Sequence, residues 1–95
     1  MKKYSMHYVY IIYSENTDRY YTGHSKDVEG RLVKHNKRHS AATKAGVPWQ
    51  LKKKIAFSTK SEAIKAENWI KRMKSRRIIE QIIRDKIDAH EVITG

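Results

Sequence analysis

Cysteine is absent from this chain, and its absence excludes several kinds of function. Without a thiol there is no disulfide framework, no thiolate zinc site and no cysteine nucleophile. Any catalysis or metal binding must therefore use other side chains.

Long apolar runs are absent too. No stretch of the 95 residues is long enough and apolar enough to cross a bilayer. The basic start Met1-Lys2-Lys3 is followed by Tyr4-Ser5-Met6-His7, which lacks the apolar core of a secretion signal. We therefore expect an intracellular protein, cytoplasmic if it is bacterial. A chain of this length has room for one core, so we expect one domain over residues 1–95.

Acidic residues are scarce beside basic ones. The sequence has 10 Asp and Glu against 21 Lys and Arg, which leaves a formal charge of +11 at pH 7. Such an excess destabilises a compact chain through self-repulsion and indicates a polyanionic partner. Nucleic acid is the partner we expect, although a membrane surface, an acidic protein or simple solubility would also account for the charge.

The start of the chain has the pattern of a β-hairpin. Residues 8–13 are aromatic or β-branched on both faces, which indicates a strand that is covered on both sides. Turn-forming residues 14–18 precede a second strand over residues 19–22, which Gly23 ends.

A helix and a third strand are predicted next. The helix has its N-cap at Ser25 and runs to about Lys37. Residues 38–48 are polar and should form an exposed connection. A strand over residues 50–57 contains three consecutive lysines, which suit an exposed edge of the sheet.

Two further helices complete an order of β-β-α-β-α-α. The first begins at a capping box of Thr59 and Glu62 and runs to about Met73. The second covers residues 76–87, where isoleucines recur at helical spacing. The predicted fold class is α+β, a small three-stranded antiparallel sheet flanked by helices.

Two of these helices carry polar groups on faces that should be apolar. Arg31 and His35 are one turn apart on the first, and Glu67 lies at the edge of the core stripe of a later one. That stripe consists of Ala63, Ala66, Ile70 and Met73. Holding a carboxylate near a core without a cation costs free energy, because its charge loses contact with water. The cation is either a metal ion or Arg31, which would then tie the two helices together as an ion pair.

Together with two strand tyrosines, these groups form a set suited to phosphodiester cleavage. The guanidinium of Arg31 offers paired donors to a phosphate and stabilises the charge of the transition state. Glu67 offers a hard oxygen ligand to a divalent ion. Tyr10, Tyr21 or His35 can position or deprotonate a water molecule.

The order of short motifs resembles the GIY-YIG nuclease family, in particular its small stand-alone bacterial members. The resemblance runs from about residue 8 to residue 83. It rests on Tyr8-Val9-Tyr10, Tyr21-Thr22-Gly23, Asp27-Val28-Glu29-Gly30-Arg31-Leu32 with His35-Asn36, Pro48-Trp49, and Ala63-Ile64-Lys65-Ala66-Glu67 with Lys71.

The resemblance implies a role for each of five residues. Tyr10 would be the general base toward water, and Tyr21 would form a hydrogen bond near the scissile phosphate. Arg31 would clamp and neutralise that phosphate. His35 would assist proton transfer or hold the water. Glu67 would bind one Mg²⁺ or Mn²⁺ ion.

Several positions depart from the family pattern. Tyr8 and Thr22 replace the glycine and isoleucine of the family name, at positions without a chemical role. His24 stands where excision-repair relatives carry a lysine, and Gly30 replaces a basic residue that is common beside the arginine. Gly23, in contrast, matches the family pattern, and it would be the tight strand end before the helix.

The function implied by the resemblance is a metal-dependent endonuclease, a phosphodiester hydrolase with DNA rather than RNA as its first expected substrate. Larger members owe target choice to appended domains. We therefore expect little sequence specificity here, or a protein partner that supplies it.

Two alternatives stay open. One is a non-catalytic nucleic-acid-binding module that retains the fold and the basic surface. The other is a helix-turn-helix regulator that uses residues 71–77, although the N-terminal strands speak against it. Under each nucleic-acid hypothesis, the expected phosphate contacts are Lys52, Lys53, Lys54, Lys71, Arg72, Lys74, Arg76 and Arg77.

A shared site also sets a condition on the hairpin register. Tyr10 and Tyr21 must project from one face, so they must be opposite or diagonal neighbours. Direct pairing would place Tyr13 opposite Asp18, and a slip of one residue would separate the two rings.

Overall fold

Three antiparallel strands form the centre of the fold. The computed structural model describes residues 6–94. Strand β1 (His7–Ser14) lies between β2 (Arg19–Ser25) and β3 (Trp49–Phe57), so the sheet order is β2-β1-β3. The predicted α+β class is confirmed, and β3 is an edge strand, as its lysines predicted.

Helices flank this sheet in the predicted order, and one more follows. They are α1 (Val28–Asn36), α2 (Lys60–Met73), α3 (Arg76–Ile83) and the short α4 (Ala89–Thr94). The last predicted helix was too long, because Asp85 takes a left-handed conformation with φ 59° that stops α3. No helix within residues 6–94 is both long and apolar enough to span a membrane.

Both faces of β1 are covered, which confirms the prediction from its sequence. Val9 and Ile11 are fully buried against α2 and α3, in a cluster with Phe57. Tyr10 and Ile12 project to the other face, where they pack with Val28, Trp49 and partly buried neighbours. The core stripe of α2 ends at Ile70, and the prediction that Met73 belongs to it was wrong, since Met73 is exposed.

Of the N-terminal caps predicted for α1 and α2, only the cap of α2 was correct. The capping box of α2 is confirmed, because the Glu62 amide donates to Thr59 Oγ1 at 3.1 Å and the Thr59 amide donates to Glu62 Oε1 at 3.2 Å. Ser25 was the wrong cap for α1. The carboxylate of Asp27 accepts from the Gly30 amide at 3.0 Å. A Cβ at Gly30 would lie 2.1 Å from that carboxylate, so glycine leaves room for the cap.

The hairpin register places Tyr10 and Tyr21 on one face as diagonal neighbours. Tyr10 is opposite Gly23, and Tyr21 is opposite Ile12. The direct pairing of the two tyrosines does not occur, because Tyr13 pairs with Tyr20 rather than with Asp18. The condition for a shared site is met.

The connection between α1 and β3 is less exposed than predicted. Thr43 and Gly46 are buried, and the indole Nε1 of Trp49 donates to the Thr43 carbonyl at 2.7 Å. A Cβ at Gly46 would lie 2.3 Å from the Trp49 ring. The polar composition of residues 38–48 predicted a solvated loop, but the contact with Trp49 holds this segment against the sheet.

His90 holds α4 at the edge of the sheet through hydrogen bonds, and these bonds depend on pH. Its Nε2 lies 2.7 Å from the Ala56 carbonyl and its Nδ1 lies 3.0 Å from Asp88 Oδ1. Both partners only accept, so both bonds require the doubly protonated ring. The Ala56 carbonyl, and then Asp88, accordingly hold the pKa of His90 above its usual 6.5.

We expect the stability contributed by His90 to be present below pH 6.5 and lost as pH rises through its raised folded-state pKa. Buried His7 and His35 have lowered pKa values and act in the opposite direction. The measurement is therefore the difference in Tm between wild type and His90→Ala from pH 5 to 9, in which their effects cancel. A difference that does not shrink at high pH would contradict the assignment.

Candidate active site

A chain of buried polar side chains links the central strand to α1 and the following connection. Tyr10 Oη lies 2.8 Å from His35 Nε2, and His35 Nδ1 lies 2.7 Å from Thr43 Oγ1. All three residues are at most 2% exposed. We call these three residues, together with Tyr21, the tyrosine–histidine cluster. Sequence reasoning missed Thr43, because no periodicity marks a residue inside a polar connection.

Two groups of this cluster, Tyr10 and His35, are held in their uncharged forms. Burial raises the pKa of the Tyr10 phenol, while the neighbouring Arg31 guanidinium opposes the rise and the charges of Tyr21 and Glu67 add to it. Burial, and then the charge of Arg31, lowers the pKa of His35. Near neutral pH the ring therefore has one N–H and one free lone pair, so it can relay a proton between its two partners.

Gly23 allows the close approach of Tyr10 to β2. A Cβ on Gly23 would lie 2.5 Å from Tyr10 Oη and 2.7 Å from its Cζ. The prediction that Gly23 ends the strand was wrong, because it lies inside β2 without a positive φ. The residue is glycine because the ring of Tyr10 occupies the space above it.

Tyr21 stands beside this chain on the same face. Its ring meets the His35 ring edge-on, with centroids 5.2 Å apart, and lies 6.4 Å from the Trp49 ring. The ammonium of Lys71 is 5.6 Å from the centroid of the Tyr21 ring. Half-buried Tyr21 thus lies between the buried relay and the solvent.

Arg31 and Glu67 do not pair with each other, so the interpretation of a helix–helix ion pair was wrong. Within residues 6–94, the Glu67 carboxylate has one lysine and one histidine as neighbours. Its Oε2 lies 2.5 Å from Lys71 Nζ, one turn along α2, and its Oε1 lies 3.7 Å from His24 Nε2. Glu67 is 9% exposed, whereas Arg31 is exposed one turn before His35. The guanidinium is therefore accessible to an anionic ligand.

Two histidines extend the site from Glu67 toward the start of β1. His24 Nδ1 lies 2.8 Å from His7 Nε2, and the two rings are 4.9 Å apart. Burial, and then the charges of His24, Lys60 and Lys26, lowers the pKa of His7. Among residues 6–94 no group of three or more carboxylates or histidines surrounds a common point. Glu67, with His24 facing it, is the place at this site where a cation would find protein ligands.

The three lysines of β3 do not form one patch. Lys53 pairs with Asp85, while Lys54 pairs with Glu29 at 3.2 Å. Lys52 is exposed, with its ammonium 5.8 Å from the Tyr13 ring. Lys53 and Lys54 reach partners on opposite faces of the sheet, so the predicted phosphate contacts are split between its two sides.

The second predicted basic group surrounds the turn between α2 and α3. Arg76 pairs with Asp18 at 2.8 Å and with Glu80 at 3.4 Å, while Arg72 and Arg77 are exposed. A cleft of about 390 Å³ lies beside this turn and extends to Tyr21. Its basic lining residues are Arg19, Lys71, Lys74 and Arg76. This group is therefore continuous with the tyrosine–histidine cluster, unlike the lysines of β3.

Comparison with known proteins gives consistent matches. A family model described as the GIY-YIG catalytic domain matches residues 6–79. A UPF0213 protein of Staphylococcus saprophyticus is 42% identical over 79 residues, 79% of this chain and 95% of that relative. One from Staphylococcus epidermidis is 44% identical over 66 residues, 68% of this chain and 79% of the relative. The solution NMR structure of a UPF0213 protein from Bacillus halodurans is 35% identical, with a TM-score of 0.55 and 85% of each chain covered.

Gly23→Ala should destabilise the fold by about 1–3 kcal/mol, the usual cost of overpacking a buried site. The added methyl group must displace Tyr10, whose ring is almost completely buried and packed against its neighbours. Urea denaturation measures the change. Arg19→Ala, an exposed change in the same strand, is the control and should stay within about 0.5 kcal/mol. Equal stability of the two variants would contradict the close approach.

Proposed function

We propose that this chain, which belongs to the GIY-YIG family, is a metal-dependent endonuclease that hydrolyses phosphodiester bonds of nucleic acid, with DNA as its first substrate. The observation that carries the proposal is the 2.8 Å contact between Tyr10 Oη and His35 Nε2. These are two buried, uncharged groups beside an exposed arginine.

Tyr10 and His35 would act together as the base. A phenol with a raised pKa does not ionise unaided near neutral pH, so it can take a proton from water only by giving its own away. His35 Nε2 is placed to receive that proton. For this its Nδ1 must carry the ring proton and donate to Thr43 Oγ1, 2.7 Å away. Thr43 thus acts as a positioning residue that selects the tautomer.

Arg31 and Tyr21 would bind the scissile phosphate. The Arg31 guanidinium is exposed and lies close enough to Tyr10 to affect the pKa of its phenol, so a phosphate bound there would lie beside the base. Its paired donors match two phosphate oxygens and oppose the charge that accumulates in the transition state. The half-buried Tyr21 would hold the same phosphate from the side of β2.

The residues present fit a single divalent ion held by Glu67. Its Oε1 has no hydrogen bond within residues 6–94, and the ring nitrogen that faces it, His24 Nε2, is 3.7 Å away. Mg²⁺ and Mn²⁺ are commonly bound through one or two carboxylates, with water and substrate phosphate as the other ligands. When bound, the ion would supply Lewis-acid stabilisation of charge on the phosphate oxygens.

One observation favours the non-catalytic binding module as a second candidate. Lys71 Nζ already lies 2.5 Å from Glu67 Oε2 and neutralises that carboxylate without a metal. In such a module the basic cleft beside the α2–α3 turn would bind a phosphate backbone. The helix-turn-helix hypothesis is not retained, because residues 6–79 match a GIY-YIG domain instead.

We further propose one domain over residues 1–95, a cytoplasmic location and a protein partner that supplies target choice. Of the predicted phosphate contacts, Lys71, Lys74 and Arg76 have the strongest support, because they line the cleft that extends to Tyr21. Arg72 and Arg77 directly follow Lys71 and Arg76, which line this cleft, in the sequence. Lys52, Lys53 and Lys54 are divided between two sides of the sheet, which supports a smaller role for them in phosphate binding.

Glu67→Ala should separate the enzyme from the binder. The variant loses the carboxylate that would hold the ion, so cleavage should fall by several orders of magnitude. It should stay folded, because alanine favours helix and the released Lys71 is half exposed. Its affinity for substrate in chelator should be unchanged or tighter. The measurement is cleavage of labelled duplex, flap, junction and single-stranded substrates with Mg²⁺, Mn²⁺ or chelator.

The matched control is Glu15→Ala, which removes an exposed carboxylate from the hairpin loop and should cleave like wild type. Wild-type protein that binds these substrates but cuts none of them would defeat the endonuclease and support the binding module. Equal cleavage by wild type and Glu67→Ala would remove Glu67 from the mechanism.

A further inference from the structure

The imidazole of His24 faces the carboxylate of Glu67 across a gap that no hydrogen bond fills. His24 Nε2 and Glu67 Oε1 are 3.7 Å apart, beyond the usual range of an N–H···O bond. Oε2 of the same carboxylate is occupied by Lys71. One carboxylate oxygen and one ring nitrogen therefore face each other between β2 and α2, and the nitrogen has a lone pair for a metal when the ring proton of His24 is on Nδ1.

The spacing of these two atoms suits a shared ion. Ligand atoms that each lie about 2.1 Å from one metal can be at most about 4.2 Å apart. The observed 3.7 Å is within this limit, so both could bind one ion without movement of the backbone. The side chain of His24 is 30% exposed, which leaves a path for the ion from solvent.

The other nitrogen of His24 already has a partner at hydrogen-bonding distance, as a metal-ligating histidine needs. Such a histidine generally donates its second ring N–H to a fixed acceptor, which sets the tautomer and the ring orientation. Here His24 Nδ1 lies 2.8 Å from Nε2 of His7, which is 6% exposed and belongs to the central strand. In the tautomer in which His24 Nδ1 donates to His7 Nε2, the lone pair of His24 Nε2 is directed at Glu67.

We propose that His24 Nε2 is a second protein ligand, beside Glu67 Oε1, of the divalent ion at this site, and that the pair selects first-row transition ions over Mg²⁺. This inference rests on the ion placed at Glu67 under the proposed function. Mg²⁺ takes oxygen ligands and loses its water reluctantly. Imidazole nitrogen instead favours transition ions, among which Mn²⁺ is the weakest binder. Preference for Mn²⁺ over Mg²⁺ is thus a strict test.

Electron paramagnetic resonance of Mn²⁺ bound to the full chain tests the ligand directly. A coordinated imidazole gives a ¹⁴N modulation of the electron spin echo, a signal that a merely structural histidine does not give. We expect it in wild type and in His39→Ala, a control that removes an exposed histidine from the connection. It should be absent in His24→Ala. Competition titration should show that this variant loses about tenfold of the preference for Mn²⁺ over Mg²⁺.

His24→Asn, which keeps a polar group toward His7, serves as a second variant if His24→Ala does not fold. A ¹⁴N signal that persists in either folded variant, or Mn²⁺ binding to wild type without the signal, would overturn the proposal. Cleavage by wild type without the signal would keep the endonuclease and remove His24 as a ligand. The signal without cleavage of any substrate would keep His24 as a ligand and remove the endonuclease.

Discussion

The hydrogen bond between Tyr10 and His35 is the constraint on which the rest of the site depends. It joins the central strand to α1 across a distance of 2.8 Å, with both side chains almost completely buried. For the tyrosine to reach that position, β2 must present a residue without a side chain, and Gly23 does so. For the histidine to be held, the connection after α1 must fold inward and bring Thr43 to its second nitrogen.

Charge is distributed around this neutral centre in a way that suits an anionic ligand. The chain carries a formal charge of +11, yet burial keeps Tyr10 and His35 uncharged. Glu67, the most buried carboxylate of residues 6–94, lies across β2 from them and has a lysine and a histidine as neighbours. A phosphate approaching Arg31 would therefore meet cations on the surface and a neutral proton relay beneath it.

Much of the fold could be predicted from the sequence because it depends on local patterns. Three features each follow from one short-range pattern in the sequence. They are the apolar faces of β1, the Thr59–Glu62 capping box and the lysine-rich edge strand. The common face of Tyr10 and Tyr21 followed from the two-residue period of strands, although their register was shifted from direct pairing.

What could not be predicted depends on contacts between residues distant in sequence. Thr43 looked like a solvated loop residue, and only the packing of Trp49 onto the connection buries it. Glu67 was expected to need Arg31 or a metal, but Lys71 one turn along the same helix lies beside it, and the packing of α2 against β2 adds His24. The lysines of β3 were all expected to contact phosphate, whereas ion pairs with Asp85 and Glu29 divide them.

The protonation of the His35 ring in the free protein tests the central claim most directly. Nitrogen-15 NMR of the histidine side chains distinguishes the two neutral tautomers from the doubly protonated ring. At pH 7 we expect His35 to be neutral, with its proton on Nδ1 toward Thr43 and the lone pair of Nε2 toward Tyr10. A doubly protonated His35 at pH 7, or a neutral ring with its proton on Nε2, would contradict it.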